Sequence, residues 1–528
     1  MRSVSMPRLL RTSVCTLCFA VLALVLVGPA SAQEVDLDWL PAYIEEGMAD
    51  WGIPGMAVAV VHNDEVVFAE GFGVRSLNEP GAVDAHTVFG VASTTKAMTA
   101  ASLAMLVERG ELDWDTPVVE YMPEFQLSDP WVTARATPRD LLAHRVGVGR
   151  MTGNRLRFLP DRERSAVLHQ MRHHDFEQPF RQGFVYSNVM YSAAGELIPA
   201  ITDTSWDDFL REQLFDPLGM ERTTTSITQF DPDDENIAAP HQEIEGTVRP
   251  ISPRNFDNVG PSASVNTSVT EMAQWMRLHL GTPGVYEGRR LIDEALMREM
   301  HSAQNPLAAQ DPYTEMNAYG LGWSLREHRG HRILQHGGAT DGMNTNLVLL
   351  PEEDVGIVVM TNTFNRFMTA VGNEVLDAFL GERGTGNWHP RIRAAYEQQY
   401  EAAMERRLRK EARRQEGTSP TFAMDAYTGT YTDELYLNAE VVTTDEGALA
   451  ITFWDNEDMT LDLEHWHHDT FRAEWRNPAM REKFVWFDMD DSATIQTLNV
   501  RWTLRPVLLQ VGIYPTDYYR EVAFERVQ

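Results

Sequence analysis

Residues 97–107 form an apolar run that covers most sides of a helix rather than a single stripe. A helix that is apolar all round needs cover from every side, so the fold must place it inside a large core. A chain of 528 residues can supply that core and is expected to form two or more domains. The apolar residues of the 97–107 run are Ala97, Met98, Ala100, Ala101, Leu103, Ala104, Leu106 and Val107.

A serine and a lysine precede this run, three residues apart, in Ser93-Thr94-Thr95-Lys96. Lysine is rare in the chain, since only three of its 45 basic residues are lysines: Lys96, Lys410 and Lys483. Arginine stays protonated in nearly any protein environment, whereas a buried lysine can accept a proton. A lysine retained here can therefore do chemistry that arginine cannot, and one helical turn places it beside the serine hydroxyl.

This pair alone also has a plain structural explanation, because serine is a preferred helix N-cap and about one such pair is expected by chance. Catalysis needs a second proton carrier, a polar group for the substrate and backbone donors for an oxyanion. "FVYSNVMYSAAGELI" supplies Tyr186 and Asn188, and "LQHGGATDG" supplies His336, Gly337 and Gly338 ahead of a strand. Two consecutive glycines permit close backbone approach because neither has a Cβ.

Strand patterns at both ends of this region enclose helical ones. Residues 55–74 and 331–362 alternate as paired strands around short turns, and helices are predicted between them, one with Thr137 as N-cap and Asp140 in a capping box, another starting at Ser268. Strands at both ends with helices between them favour an α/β sandwich.

The three motifs, in this order and at similar separations, resemble those of the serine β-lactamase-like hydrolases, which group class C β-lactamases, D-alanyl-D-alanine peptidases, D-aminopeptidases and related esterases. The resemblance runs from Asp38 to about Thr385 and includes "LLAHRVG" and "LFDPLGMERT". It implies the β-lactamase/transpeptidase-like α/β (α+β) sandwich, an antiparallel sheet with helices on both faces.

The same resemblance implies roles for individual residues. Ser93 would attack a carbonyl and form an acyl-enzyme, while Lys96 and Tyr186 would share the work of general base, protonate the leaving group and activate the deacylating water. The backbone N–H groups of Ser93 and Ala339 would form the oxyanion hole. The residues implied to bind substrate are Asn188, His336, Gly337 and Gly338.

Two positions depart from the family pattern. His336 stands where the β-lactamases have lysine, and a histidine is largely neutral above pH 7 and holds a carboxylate less firmly. The His-x-Gly motif resembles the version found in the D-aminopeptidase-like and esterase-like branches of the family. A peptidase, an amidase or an esterase is therefore favoured over a β-lactamase proper. Val146 replaces a usual serine and affects only local loop geometry.

A non-catalytic periplasmic binding or sensor relative is the competing interpretation. The choice between an amide and an ester substrate and the choice between D and L specificity stay open.

The N-terminus has the pattern of an export signal. Arg2, Arg8 and Arg11 precede the apolar residues 14–27, and small residues follow up to Ala32. We expect residues 1–32 to be a cleaved signal peptide and the protein to be periplasmic or secreted, with an uncleaved signal anchor as the alternative. No later segment is apolar enough to cross a bilayer.

Both cysteines, Cys15 and Cys18, lie in this signal, so the mature chain is expected to lack disulfides and zinc–thiolate sites. The formal net charge of −32 disfavours nucleic acid and anionic membranes as partners. His465 and His467 share a predicted strand face, but packing or capping explains them without a metal. No cofactor or metal is expected, the expected partner is a small peptide, amide or ester substrate, and the oligomeric state stays open.

The remaining chain divides into three parts: a hydrolase domain over 33–385, a helical linker over 386–420 and a small all-β domain over 421–528. Apolar residues four apart in the linker predict a helix with one docked face, and they are Ile392, Tyr396, Tyr400, Met404 and Leu408. The last part resembles, in "AYTGTY" and "LEHWHHDTF", the lipocalin-like barrel appended to many such hydrolases. We interpret it as a cover or a substrate-shaping element.

Overall fold

The central element of the fold is the predicted apolar helix, in which every residue from Thr95 to Leu106 is buried. The computed structural model describes residues 35–527 apart from 80, 150–153, 159–162, 245, 308–316, 478–479, 481–482 and 504–518. The expected signal peptide, residues 1–32, lies outside the described residues. Among those that are described, no helix is long and apolar enough to cross a membrane.

The described α-helices lie between Leu40 and Glu411. They are α1 (Leu40–Trp51), α2 (Thr95–Glu108), α3 (Pro130–Thr133), α4 (Pro138–Leu142), α5 (Arg164–Gln170), α6 (Asn188–Thr202), α7 (Trp206–Leu210), α8 (Asp216–Leu218), α9 (Val269–His279), α10 (Glu294–Met300), α11 (Phe367–Phe379) and α12 (Trp388–Glu411). Thr137 caps α4 in a capping box with Asp140, and Ser268 caps α9, as the sequence predicts.

The strands of this part are β1 (Gly55–His62), β2 (Glu65–Gly73), β3 (Phe89–Gly90), β4 (His241–Ile244), β5 (Thr247–Pro250), β6 (Asn266–Thr267), β7 (Val285–Tyr286), β8 (Arg289–Arg290), β9 (Asn305–Pro306), β10 (Asn317–Tyr319), β11 (Ser324–His328), β12 (His331–Thr340), β13 (Met343–Leu350) and β14 (Val355–Thr361). Eight of them form one antiparallel sheet in the order β2-β1-β14-β13-β12-β11-β10-β9. Strand β1 pairs with β14, with Val58 opposite Val359, so both ends of the region meet in the sheet.

Alternating residues of β1 enter two separate cores, one on each face of the sheet. Met56, Val58 and Val60 pack with residues of α1 and α11. Ala57, Ala59 and Val61 enter the larger core, which contains α2, α6 and α9. Helices therefore cover both faces, and the β-lactamase/transpeptidase-like sandwich is confirmed.

A closed eight-stranded antiparallel barrel forms the C-terminal domain, also as predicted. Trp475 and Trp502 stack inside it, with ring centroids 6.2 Å apart, so aromatic side chains contribute to its packed interior. The strands are β15 (Gly429–Asp433), β16 (Leu437–Thr443), β17 (Leu449–Phe453), β18 (Thr460–His467), β19 (Thr470–Trp475), β20 (Lys483–Met489), β21 (Ile495–Thr503) and β22 (Tyr519–Arg526).

The predicted apolar stripe of the linker helix α12 is covered over only part of its length, so the prediction of one docked apolar face is wrong for its second half. Tyr396 packs on Trp51, with ring centroids 5.1 Å apart. Tyr400, Met404 and Leu408 are 44%, 38% and 59% exposed. A four-residue spacing advances about 40° beyond a full turn at each step, so the stripe winds away from the docked side.

Two histidines meet inside the larger core. His279, the last residue of α9, and His301, which follows α10, have their Nδ1 and Nε2 atoms 2.9 Å apart. Burial, together with the charge of Arg332, lowers the pKa of His301 to about 3. Burial also holds the pKa of His279 well below its usual range, and the neighbouring His301 adds to that effect.

We expect this pair to make the fold sensitive to acid. The pKa values in the folded state lie below the ordinary 6.5, so the unfolded chain binds more protons as the pH falls. The stability that depends on the neutral pair is complete above pH 6.5 and is lost as the pH falls through the lowered pKa values, by on the order of 1 kcal/mol per pH unit.

Urea unfolding at pH 7.5 and pH 5 measures this loss. A variant with both His279→Leu and His301→Leu should show a flatter pH dependence than the natural chain. An unchanged pH dependence of the free energy of unfolding in the double variant would show that this histidine pair does not cause the acid sensitivity.

Candidate active site

Ser93 lies in a short 3₁₀ turn, Ala92–Thr94, that leads into α2. Its side chain does not cap the helix, because the N-cap position of α2 belongs to Thr94 and no side-chain capping bond is made there. The residue before it, Ala92, has a φ of +50°, a left-handed conformation that is unfavourable for alanine. The Val91 N–H donates to the Val265 carbonyl at 2.9 Å. Ser93 is partly exposed between buried neighbours, so the turn presents its hydroxyl.

The Lys96 side chain is fully buried and has three oxygen acceptors around its Nζ atom. Nζ lies 3.1 Å from Ser93 Oγ, 2.8 Å from Asn188 Oδ1 and 2.7 Å from the Ser262 carbonyl oxygen. The Tyr186 ring centroid is 4.9 Å from Nζ. Two of the three sequence motifs therefore meet at one amine, and the Ser262 carbonyl joins them without any motif of its own.

Tyr186 and Asn188 flank the start of α6. Asn188 is the first residue of this helix, and extended backbone at Ser187 separates the two side chains. The Ser187 N–H donates to His144 Nδ1 at 3.1 Å, and the His144 and Tyr186 ring centroids are 4.3 Å apart. A neutral His144 therefore carries its proton on Nε2. Sequence reasoning gave His144 no role beyond its place in "LLAHRVG".

A buried carboxylate joins the two loops that carry His144 and Tyr186. Asp140 accepts from Arg145 Nε at 2.5 Å and from Arg181 Nη2 at 2.6 Å. Burial alone would raise the pKa of Asp140, but the Arg181 hydrogen bond and the Arg145 charge outweigh it, and the pKa is lowered. Asp140 thus stays ionised and holds one arginine from each loop.

The end of β12 runs beside the Ser93 turn. Strand β11 pairs with β12 only up to Gln335, so residues 336–340 have β13 on one side. A Cβ on Gly338 would lie 2.1 Å from the Val91 carbonyl oxygen. A Cβ on Gly337 would meet only the Thr345 oxygen, at 3.6 Å. Of the two glycines, only the second is required for this close approach to the Val91 carbonyl.

His336 is buried and both of its ring nitrogens have protein partners. Nε2 is 2.9 Å from the Tyr319 hydroxyl, and Nδ1 is 2.8 Å from the Gly337 carbonyl oxygen. A carbonyl can only accept, so Nδ1 carries a proton, and in the neutral ring Nε2 accepts from Tyr319. A substrate group would have to compete with these bonds. Tyr319, on the distant strand β10, is a site residue that no motif indicated.

The histidines of the barrel are held by local hydrogen bonds. His465 Nε2 lies 3.0 Å from the His468 carbonyl, and His467 Nδ1 accepts from the Gln415 N–H at 3.3 Å. Within the described part of the chain, no group of three or more histidine, cysteine or acidic side chains is arranged to hold a metal ion.

Comparison with known families matches residues 40–381 to the Beta-lactamase family and residues 413–511 to a domain of unknown function, DUF3471. The Unguisins hydrolase ungD of Aspergillus violaceofuscus is 27% identical over 367 residues, with 64% of each chain covered. Its counterpart ungD' of Aspergillus campestris is 27% identical over 454 residues, covering 81% of this chain and 82% of the relative. Protein flp of Staphylococcus aureus MW2 is 24% identical, with 64% of each chain covered.

Two solved structures share the fold. The octameric penicillin-binding protein homologue from Pyrococcus abyssi superposes with a TM-score of 0.59 at 19% identity, covering 88% of this chain and 98% of its own. SurE superposes with a TM-score of 0.51 at 18% identity, covering 93% of this chain and 98% of its own. At these identities the likeness concerns the fold alone.

Proposed function

Since this chain belongs to the Beta-lactamase family of serine hydrolases, we propose that it cleaves an amide or ester bond through an acyl-enzyme on Ser93. The observation that carries the proposal is the Lys96 amine, fully buried and in contact with Ser93 Oγ, Asn188 Oδ1 and the Ser262 carbonyl. The carbonyl and the amide oxygen take two N–H groups of a neutral amine. In the proposed resting state the lone pair of this amine accepts the hydroxyl hydrogen of Ser93, whose Oγ lies 3.1 Å from Nζ.

The proposed reaction has two halves. In the first, Ser93 Oγ gives its proton to Lys96 or Tyr186 and bonds to the substrate carbonyl carbon, with the oxyanion held by the Ser93 and Ala339 N–H groups. The bond to the leaving amine or alcohol then breaks, and the leaving group takes that proton. In the second half, water gives a proton to the same base and its hydroxyl to the acyl carbon, the bond between that carbon and Ser93 Oγ breaks, and the base returns the proton to Ser93 Oγ.

The same residues support a proposal for the substrate class. We favour a peptidase or amidase of the D-amino-acid peptide type, or an esterase, with Asn188 and the 336–338 segment holding the substrate. His336 is engaged by Tyr319 and Gly337, so β12 offers no fixed lysine charge for a β-lactam carboxylate, and a β-lactamase proper is the weaker alternative. A non-catalytic binding or sensor relative is the other, and the completeness of the Ser93, Lys96 and Asn188 contacts argues against it.

The proposal extends to location and domain boundaries. The arginines and apolar run of residues 1–32 support export to the periplasm or the medium. We propose hydrolase, linker and barrel boundaries at 33–385, 386–420 and 421–528.

Covalent labelling tests the proposed function directly. The purified mature chain is incubated with a fluorophosphonate and, separately, with a penicillin, and any adduct is located by intact-mass and peptide analysis. We expect one phosphonate adduct, on Ser93, and none in the Ser93→Ala variant. Labelling by the phosphonate without the penicillin would favour the esterase or aminopeptidase branch. No adduct on a folded protein would overturn the proposal in favour of the binding or sensor alternative.

A further inference from the structure

One rim of the C-terminal barrel contacts the hydrolase domain. Strands alternate in direction around the barrel, so the turn after β15, the turn after β17 and the start of β22 share one end. From this end Glu434 lies 3.3 Å from His173, and Arg520 Nη2 lies 2.8 Å from Asp175 Oδ2. Asn456 Nδ2 donates to the Phe158 carbonyl at 3.4 Å.

One of these contacts, at Asp175, lies within residues 174–187, the segment that carries Tyr186, and the contact at His173 immediately precedes it. The segment has no regular helix or strand, so other contacts must fix its path. On its inner side, backbone N–H groups of Glu177, Arg181 and Val185 donate to carbonyls of Gly147, Arg145 and His144 at 2.7–2.9 Å. At the start of the segment, the buried His174 lies in sequence between His173 and Asp175, the two residues that pair with the barrel.

We propose that the barrel rim positions Tyr186 by holding the start of this segment, with Arg520 as a positioning residue that acts through Asp175. The importance of Tyr186 rests on the proposed function, whereas the restraint on the segment does not. The Asp175 side chain is 82% exposed, so substitution there leaves the cores intact, whereas that of Arg520 is 20% exposed and lies beside the Tyr436 ring. An ion pair with one solvent-exposed partner is expected to change the equilibrium between the held and the released segment by about two- to fivefold.

Charge reversal in the full chain tests the proposal. The variants are Arg520→Glu, Asp175→Arg and the combination of both, which restores a pair with reversed signs. Arg476→Glu is the matched control, because Arg476 pairs with Asp462 at 2.9 Å within the same barrel. Hydrogen exchange of the Glu177, Arg181 and Val185 amides reports the restraint. The rate of phosphonate labelling, separated into the maximal rate and the half-saturating concentration, reports Tyr186.

Each single reversal is expected to speed exchange at these three amides about two- to fivefold and to lower the maximal labelling rate at an unchanged half-saturating concentration. The combined variant should recover both quantities, and Arg476→Glu should change neither. Unchanged exchange in both single variants would overturn the restraint. Faster exchange with an unchanged labelling rate would overturn the positioning of Tyr186. Absence of any labelling in the natural chain would instead overturn the proposed function, and the exchange result would still decide the restraint.

Discussion

Replacing Lys96 with arginine is expected to slow acylation of Ser93 by about 10²- to 10⁴-fold, the usual contribution of a positioned general base. Arginine keeps a positive charge at this place but cannot accept the serine proton. Three acceptors lie 2.7–3.1 Å from the single Nζ atom. A compact amine suits this arrangement, whereas the planar guanidinium of arginine does not. The measurement is the rate of phosphonate labelling together with kcat/KM for an activated ester at fixed pH.

Two further variants give this result its meaning. Lys96→Met removes the amine while keeping a long unbranched side chain in the buried site, and it should lose as much rate as Lys96→Arg. Lys410→Arg makes the same exchange at an exposed lysine that lies 3.5 Å from the Phe484 ring centroid, and it should keep the natural rate. Acylation retained in a folded Lys96→Arg protein would show that another group takes the serine proton.

Much of the fold was predictable from the sequence because the informative residues act through local rules. The all-round apolar character of α2 required a central buried helix, and every residue from Thr95 to Leu106 is indeed buried. The Thr137 and Ser268 caps are confirmed for the same reason, since a cap depends on neighbours along the chain. The barrel followed from short alternating strands.

The features that sequence reasoning missed depend on distant backbone or on geometry that side-chain identity does not encode. The Ser262 carbonyl contacts Lys96 across 166 positions of the chain, and a carbonyl is present at every residue. Tyr319 reaches His336 only through the order of strands in the sheet. The exposed stripe on α12 was missed because a four-residue spacing resembles a docked face until its winding is followed.

The two glycines at the end of β12 are neighbours in the sequence, yet their surroundings differ: only Gly338 lies against the backbone that leads into Ser93. We expect Gly338→Ala to lower kcat/KM about 10²-fold or more, because an ångström of displacement at reacting groups has effects of this size. The added Cβ would lie 2.1 Å from the Val91 carbonyl oxygen and 3.1 Å from Ala92 Cβ. Both belong to the chain that leads into Ser93, so relief of the clash must move β12 or the Ser93 turn. Overpacking of this kind also removes about 1–3 kcal/mol of stability.

Gly337→Ala is the matched control for this clash. Neither glycine has a positive φ, so alanine is not strained by the backbone at either position, and the two variants differ only in what the new methyl group meets. At Gly337 it meets nothing nearer than 3.6 Å, so the urea midpoint should stay close to that of the natural chain, and kcat/KM should fall only as far as the methyl group hinders substrate bound along this segment. Equal losses in the two variants would show that the 336–340 segment matters as a whole. A loss confined to Gly338→Ala would establish that its close contact with the Val91 carbonyl keeps β12 and Ser93 in catalytic register.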